Sequence, residues 1–172
     1  NGVKLYYGGE YGYIGGRNYT NFTVNQWFKP ESLGSYNQDF KGLFGHQTYG
    51  QTVITYSRSA YRFGIQQSGY TSGNKEGNAD KYAAENTGCP TISADNWYML
   101  TRTRDGTDQR LYVNGVLGVT ITEGISNSTL NNGGSLYLGT ASSQLGVNTY
   151  GTKGTHDHLR IFNKKLSQSE IT

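Results

Sequence analysis

Only one cysteine, Cys89, occurs in the 172-residue chain, so no intrachain disulfide can form. A domain of this length does not need one, because folding removes roughly two thirds of its unfolded surface from water. The compartment is left open by this absence. Cys89 stands before Pro90 in a loop-like stretch with no histidine beside it. It reads as a small, half-buried side chain rather than a reactive thiol. Charge is also scarce. Charged residues make up 16% of the chain, the net charge is +3, and Lys164-Lys165 is the longest basic run. Nucleic acid is thereby disfavoured as a partner. No stretch is apolar enough to cross a bilayer, and none has the pattern of a secretory leader. The chain opens on Asn1 without methionine and ends in a polar tail. It reads as a single domain, residues 1–172, excised from a longer protein.

What the chain has instead is 25 glycines and 15 tyrosines, with abundant Asn, Ser and Thr. Glycine, Asn and Ser punctuate turns. Tyrosine suits a pleated, half-buried surface with its hydroxyl wet. Strand-like runs follow one another: Val3–Tyr7, Tyr11–Ile14, Phe22–Lys29, Leu43–Gln47, Thr52–Tyr56 and Tyr61–Gln66. In the third, Phe22, Val24 and Phe28 share one face, and Thr23, Asn25 and Trp27 share the other. A polar stretch from Ser68 to Asn96 has no period and reads as one long loop. Trp97–Arg104, Gln109–Val113, Val116–Ile121, Leu136–Leu138 and Leu159–Phe162 complete the strands. Asp105-Gly106 marks one turn. Asn114-Gly115 marks the clearest hairpin, since both residues must take positive φ there. Ser167 with Glu170 three residues on forms a capping-box pattern for about one helical turn. Many short strands without a long helix predict an all-β fold of two packed antiparallel sheets, or a barrel.

Three segments carry a family resemblance. They are Phe22-Thr-Val-Asn-Gln-Trp27-Phe-Lys-Pro30, then Trp97-Tyr-Met-Leu-Thr with Arg110-Leu-Tyr-Val-Asn-Gly115, and finally the run from Gly154 through Asp157 and Leu166 to Ile171. In this order they resemble the laminin-G-like, concanavalin-A-like jelly-roll superfamily from about Leu5 to Ile171. The resemblance implies a two-sheet antiparallel jelly-roll sandwich, and in such strands Trp27 and Trp97 read as core residues. Gln26 departs from it, standing where the family tends to have a small apolar residue. If buried, it needs hydrogen-bond partners. The resemblance also implies that Asp157 helps hold a structural Ca2+. An early carboxylate would then have to be Glu10, in Tyr7-Gly8-Gly9-Glu10. Calcium requires six to eight oxygens.

Catalytic chemistry finds little support. A retaining glycosidase needs two carboxylates about 5 Å apart. On a strand that means acidic residues two or four positions apart, and no strand here has them. Asp105 and Asp108 flank a turn, where Asp is ordinary. His46 and Gln47 imitate part of a polysaccharide-lyase cluster, but its flanking motifs are missing. Gly12-Tyr-Ile-Gly-Gly16 lacks the lysine and helix of a phosphate loop. His156-Asp157-His158 would put two imidazoles on one strand face, too few for zinc. Asn18, Asn21 and Asn127 begin glycosylation-type triplets, which chance explains in so Asn- and Thr-rich a chain.

Ligand recognition is better supported. Tyrosines collect in and near the polar loops, beside Asn, Gln and Asp side chains. Aromatic faces with directed polar groups suit sugars. His46, Tyr49, Tyr61, Tyr70 and Tyr150 are the ligand-binding candidates. The first expectation is therefore a non-catalytic carbohydrate- or surface-binding module, extracellular, on a cell surface or on a virion surface. A structural or decoration domain of a phage, virus particle or cell-surface protein is the alternative, with a protein partner. A degenerate glycan-active enzyme domain is the third. Nucleic acid and membrane insertion are not expected.

Overall fold

The structure is a computed structural model. It describes residues 3–5, 12–14, 21–31, 41–46, 53–57, 62–66, 69–71, 74–76, 81–82, 90, 93–106, 108–121, 136–139 and 154–172. Side-chain surroundings are defined for 21–31, 90, 93–106, 108–120, 138–139 and 154–172. Every pairing between the described strands is antiparallel. One six-stranded sheet runs β1 (Val3–Leu5), β14 (Gly154–Phe162), β3 (Phe22–Pro30), β10 (Tyr98–Asp105), β11 (Asp108–Val113) and β12 (Val116–Ile121). The other runs β2 (Gly12–Ile14), β13 (Leu136–Leu138), β4 (Lys41–His46), β5 (Val53–Ser57), β6 (Arg62–Gln66) and β9 (Lys81–Tyr82). The sheets meet where β11 approaches β6 and β12 approaches β9.

β7 (Gly69–Thr71) and β8 (Asn74–Glu76) form a separate two-stranded ribbon. The stretch 68–96 is thus not one structureless loop. Three short strands interrupt it, built from polar residues that give no hydrophobic alternation to read. Cys89 lies outside the described residues.

The first sheet has two different faces. Phe22, Val24 and Phe28 are fully buried on β3, as are Leu100, Leu111 and Val113 on the neighbouring strands. The same inward face carries polar groups: Gln26, Arg102, Arg104, Gln109 and His156 are all buried. Burial, and then the nearby Arg104 charge, push the Arg102 guanidinium down to about 9. Its Cζ stands 5.8 Å from the Phe22 ring centroid. Packing against an aromatic face lowers the cost of holding that charge away from water.

The chain terminus covers part of the outward face. Thr23 Oγ1 donates to Lys164 O at 2.8 Å and accepts from the Leu166 N–H at 2.9 Å. Leu166 and Ile171 then pack with Tyr112, Met99, Leu117 and Phe162. Helix α1 (Gln168–Ile171) starts as the capping-box pattern predicts. Glu170 Oε2 accepts from the Ser167 N–H at 2.8 Å and from its hydroxyl at 3.0 Å. From the first residue of the helix, Gln168 Nε2 donates to Gly115 O at 2.7 Å. Gly115 (φ 78) and Asn114 (φ 51) make the two-residue hairpin turn that their sequence calls for.

Candidate functional site

Trp27 and Trp97 are not core residues. They are 36% and 40% exposed. The register gives the reason. Trp27 pairs with Met99 on one side and Asp157 on the other, one residue out of phase with the buried Gln26 and Phe28. Tyr98 points inward and is 4% exposed, so Trp97 before it falls on the outward side. The strand begins at Tyr98, leaving Trp97 in the loop that enters it.

That loop is held tightly. Tyr98 Oη accepts from the Ser93 N–H at 2.8 Å, and Asn96 Nδ2 donates to Ser93 Oγ at 2.9 Å and to Ala94 O at 3.0 Å. The Asp95 N–H donates to Pro30 O at 2.8 Å, tying the loop to the end of β3. Asp95 takes φ 62, in a region that Asp tolerates better than most residues. Lys29 Nζ stands 5.9 Å from the Trp97 ring centroid. Both indoles therefore sit on a fixed frame, partly open to solvent.

A bulge shapes the other wall. Asp157 pairs with Trp27 and Arg160 with Asn25, so His158 and Leu159 together oppose Gln26. His158 takes φ 48, left-handed for a non-glycine residue. Its N–H donates to Asp157 Oδ1 at 2.8 Å, and its Nδ1 lies 3.3 Å from the same oxygen. Such bulges re-aim side chains, and backbone strain of this kind collects at functional sites. The expected pair of imidazoles on one face is thereby broken. His156 is buried on the inward side, whereas His158 is exposed. Burial pushes the His156 imidazole down to about 3.

These residues line two adjoining cavities. One, of about 410 Å³, is walled by Trp27, Trp97, Asp157 and His158. The other, of about 260 Å³, runs from Trp27 and His158 toward helix α1, past Asn25, Met99, Arg160 and Glu170. Because Trp27 and His158 belong to both, the outer face carries one extended groove. Its aromatic floor can stack on the C–H face of a ring. Its carboxylate, imidazole and guanidinium can direct hydroxyl or acid groups.

Two of the sequence-derived binding candidates lie on described strands. His46 ends β4 in the second sheet, opposite Leu136, and Tyr70 is the middle residue of β7 in the separate ribbon. Their side chains lie outside the described residues, as do Tyr49, Tyr61, Tyr150 and Glu10 altogether. Among the described residues no three His, Cys, Asp or Glu side chains gather as a metal cluster. Asp157 is described, with Oδ1 turned to the His158 amide. One carboxylate so engaged falls well short of the oxygens calcium needs.

An antiparallel double sheet with a surface groove lined by aromatic and polar residues is an architecture of lectin-like domains. A family model described as the concanavalin A-like lectin/glucanases superfamily, of the laminin-G type, matches residues 11–172. The chain belongs to that superfamily. Among solved structures it is similar to a native heptameric SAP-like pentraxin from Limulus polyphemus, at 18% identity and TM-score 0.70, covering 99% of this chain and 76% of that one. It is also similar to CBM40 of the Ruminococcus gnavus IT-sialidase, solved with α2,3-sialyllactose. There the identity is 15% and the TM-score 0.67, over 99% of this chain and 94% of that one. A third is domain 4 of an extracellular arabinanase from Geobacillus stearothermophilus, solved with arabinotriose. It shares 20% identity at TM-score 0.60, over 92% of this chain and 69% of that one. No curated protein sequence matches.

Proposed function

We propose that the chain is a non-catalytic carbohydrate-binding module and that the Trp27–Trp97 groove holds the sugar. The observation that carries this reading is the pair of half-exposed indoles on a rigid frame, beside Asp157 and His158. Large aromatics left open in a concave surface are a ligand signal, because burial would otherwise stabilise the fold. Membership of a lectin/glucanase superfamily supports it, as do neighbours solved with bound oligosaccharides. The absence of acidic pairs at strand spacing supports a binding rather than a hydrolytic role. An extracellular or surface setting follows from the same reading.

The test is a glycan array followed by titration of indole emission with the strongest hit. Trp27→Ala and Trp97→Ala should each weaken binding at least tenfold. An array without any hit would remove the proposal. So would hits whose affinity is indifferent to both substitutions. A blank array together with self-association that Trp27→Ala abolishes would instead favour a structural or decoration domain.

A further inference from the structure

We infer that the groove selects acidic sugars, with Arg160 receiving the carboxylate of a glycan residue whose ring lies against Trp27. This rests on the carbohydrate reading above and gives it a substrate class.

Ion pairing leaves one basic side chain of the groove unused. Among the described residues, the exposed or half-exposed basic side chains nearly all have partners. Lys164 Nζ meets Glu170 Oε1 at 2.5 Å. Lys165 and Arg110 share the Asp108 carboxylate at 2.6 and 3.0 Å. Lys29 lies over Trp97. Arg160 is exposed and makes no ion pair or hydrogen bond to any described residue. It nevertheless lines the cavity of about 260 Å³ beside Trp27.

The acid in that same cavity is already used. Glu170 is held by Lys164, by the Ser167 amide and by the Ser167 hydroxyl, at the cap of α1. The cross-strand neighbour is used as well, since Asn25 Nδ2 donates to Thr101 Oγ1 at 2.6 Å. The charge left over at this end of the groove is therefore positive. A guanidinium offers two parallel donors that match a carboxylate, a geometry a neutral hydroxyl does not exploit. Asp157 lines only the larger cavity and Arg160 only the smaller one. The groove is thus polar along its length. The acidic residue belongs toward α1, and a neutral neighbouring ring belongs toward Trp97, where Asp157 accepts hydrogen bonds from hydroxyls.

The experiment is an array carrying neutral, carboxylated and sulfated glycans, probed with wild type, Arg160→Ala and Trp27→Ala. The best hit is then titrated as its free acid and as its methyl ester. The strongest hits should be carboxylated. Esterification and Arg160→Ala should each cost about tenfold or more, with no further loss when combined. Raising the salt should weaken the acid and leave the ester unchanged. Trp27→Ala should weaken both forms. The melting temperature of Arg160→Ala should match wild type, since its side chain holds nothing in the fold. If acid and ester bind alike, if only sulfated or neutral glycans bind, or if Arg160→Ala binds normally, acid selection is wrong and the carbohydrate reading stands. If no glycan of any kind binds, both fall.

Discussion

His156 packs against Phe28 on the inward face of the first sheet, with ring centroids 4.8 Å apart and planes tilted by 45°. The imidazole is 2% exposed. Its folded-state value of about 3 lies well below the ordinary histidine value, and the cause is desolvation. The unfolded chain therefore takes up a proton at this site before the folded protein does. The depressed value sets the sign. The full stability is present above about pH 6.5 and drains away as the pH falls toward 3. At pH 5 the loss from this group is roughly 2 kcal/mol. Melting curves at pH 7 and pH 5 should differ accordingly, and His156→Phe should shrink the difference. An unchanged difference in the variant would assign the acid sensitivity to other groups.

Gln26 is fully buried on that same face, opposite the His158–Leu159 bulge. Both atoms of its side-chain amide lack hydrogen-bond partners. A buried amide left unmade costs about 1–3 kcal/mol, and an apolar replacement of similar shape removes that cost. Gln26→Met should therefore raise the melting temperature, by about 2–4 °C for each kcal/mol recovered in a domain of this size. A drop would mean that the amide contributes something that hydrogen-bond geometry does not capture.

How the sequence foretold the fold, and where it misled, is clearest in β3. Strict alternation already set Phe22, Val24 and Phe28 against Thr23, Asn25 and Trp27, and that division is the observed one. Placing Trp27 in the core went against that phase. Phase prevails because a strand cannot turn one side chain inward without turning its neighbours outward. The hairpin at Asn114-Gly115 and the cap at Ser167–Glu170 were legible because their chemistry is local. The bulge at His158 was not. It depends on a register mismatch between distant strands, so regular alternation put His156 and His158 together. The candidate site was hidden for the same reason. It needs Trp27, Trp97 and Asp157 on one face, three residues from three separate stretches of chain.

Gly154 begins β14 opposite Pro30 and is buried. A Cβ there would fall 2.7 Å from Phe28 Cε2 and would collide with the carbonyl oxygen of Lys29. The carbonyl is backbone and cannot swing aside. Gly154→Ala should destabilise by about 1–3 kcal/mol, the usual range for overpacking. Denaturant titration would show it as a lower midpoint with an unchanged slope. An unaltered midpoint would mean that β3 and β14 separate there at little cost.

His158 joins strain to recognition, and one substitution separates them. Its left-handed φ of 48 costs an ordinary residue about 1–2 kcal/mol, and the Asp157 carboxylate helps hold it by accepting the backbone N–H. Glycine bears no such penalty, but it adds freedom to the unfolded chain worth about 0.4–1 kcal/mol. His158→Gly should therefore leave stability level or slightly raised. The same change removes the imidazole from the wall shared by both cavities, so sugar affinity should fall. Asn tolerates this backbone region and retains a polar group, so His158→Asn should fold as well as wild type and bind between the other two. A parallel loss of stability and affinity in His158→Gly would show that the imidazole props up the bulge instead of facing a ligand.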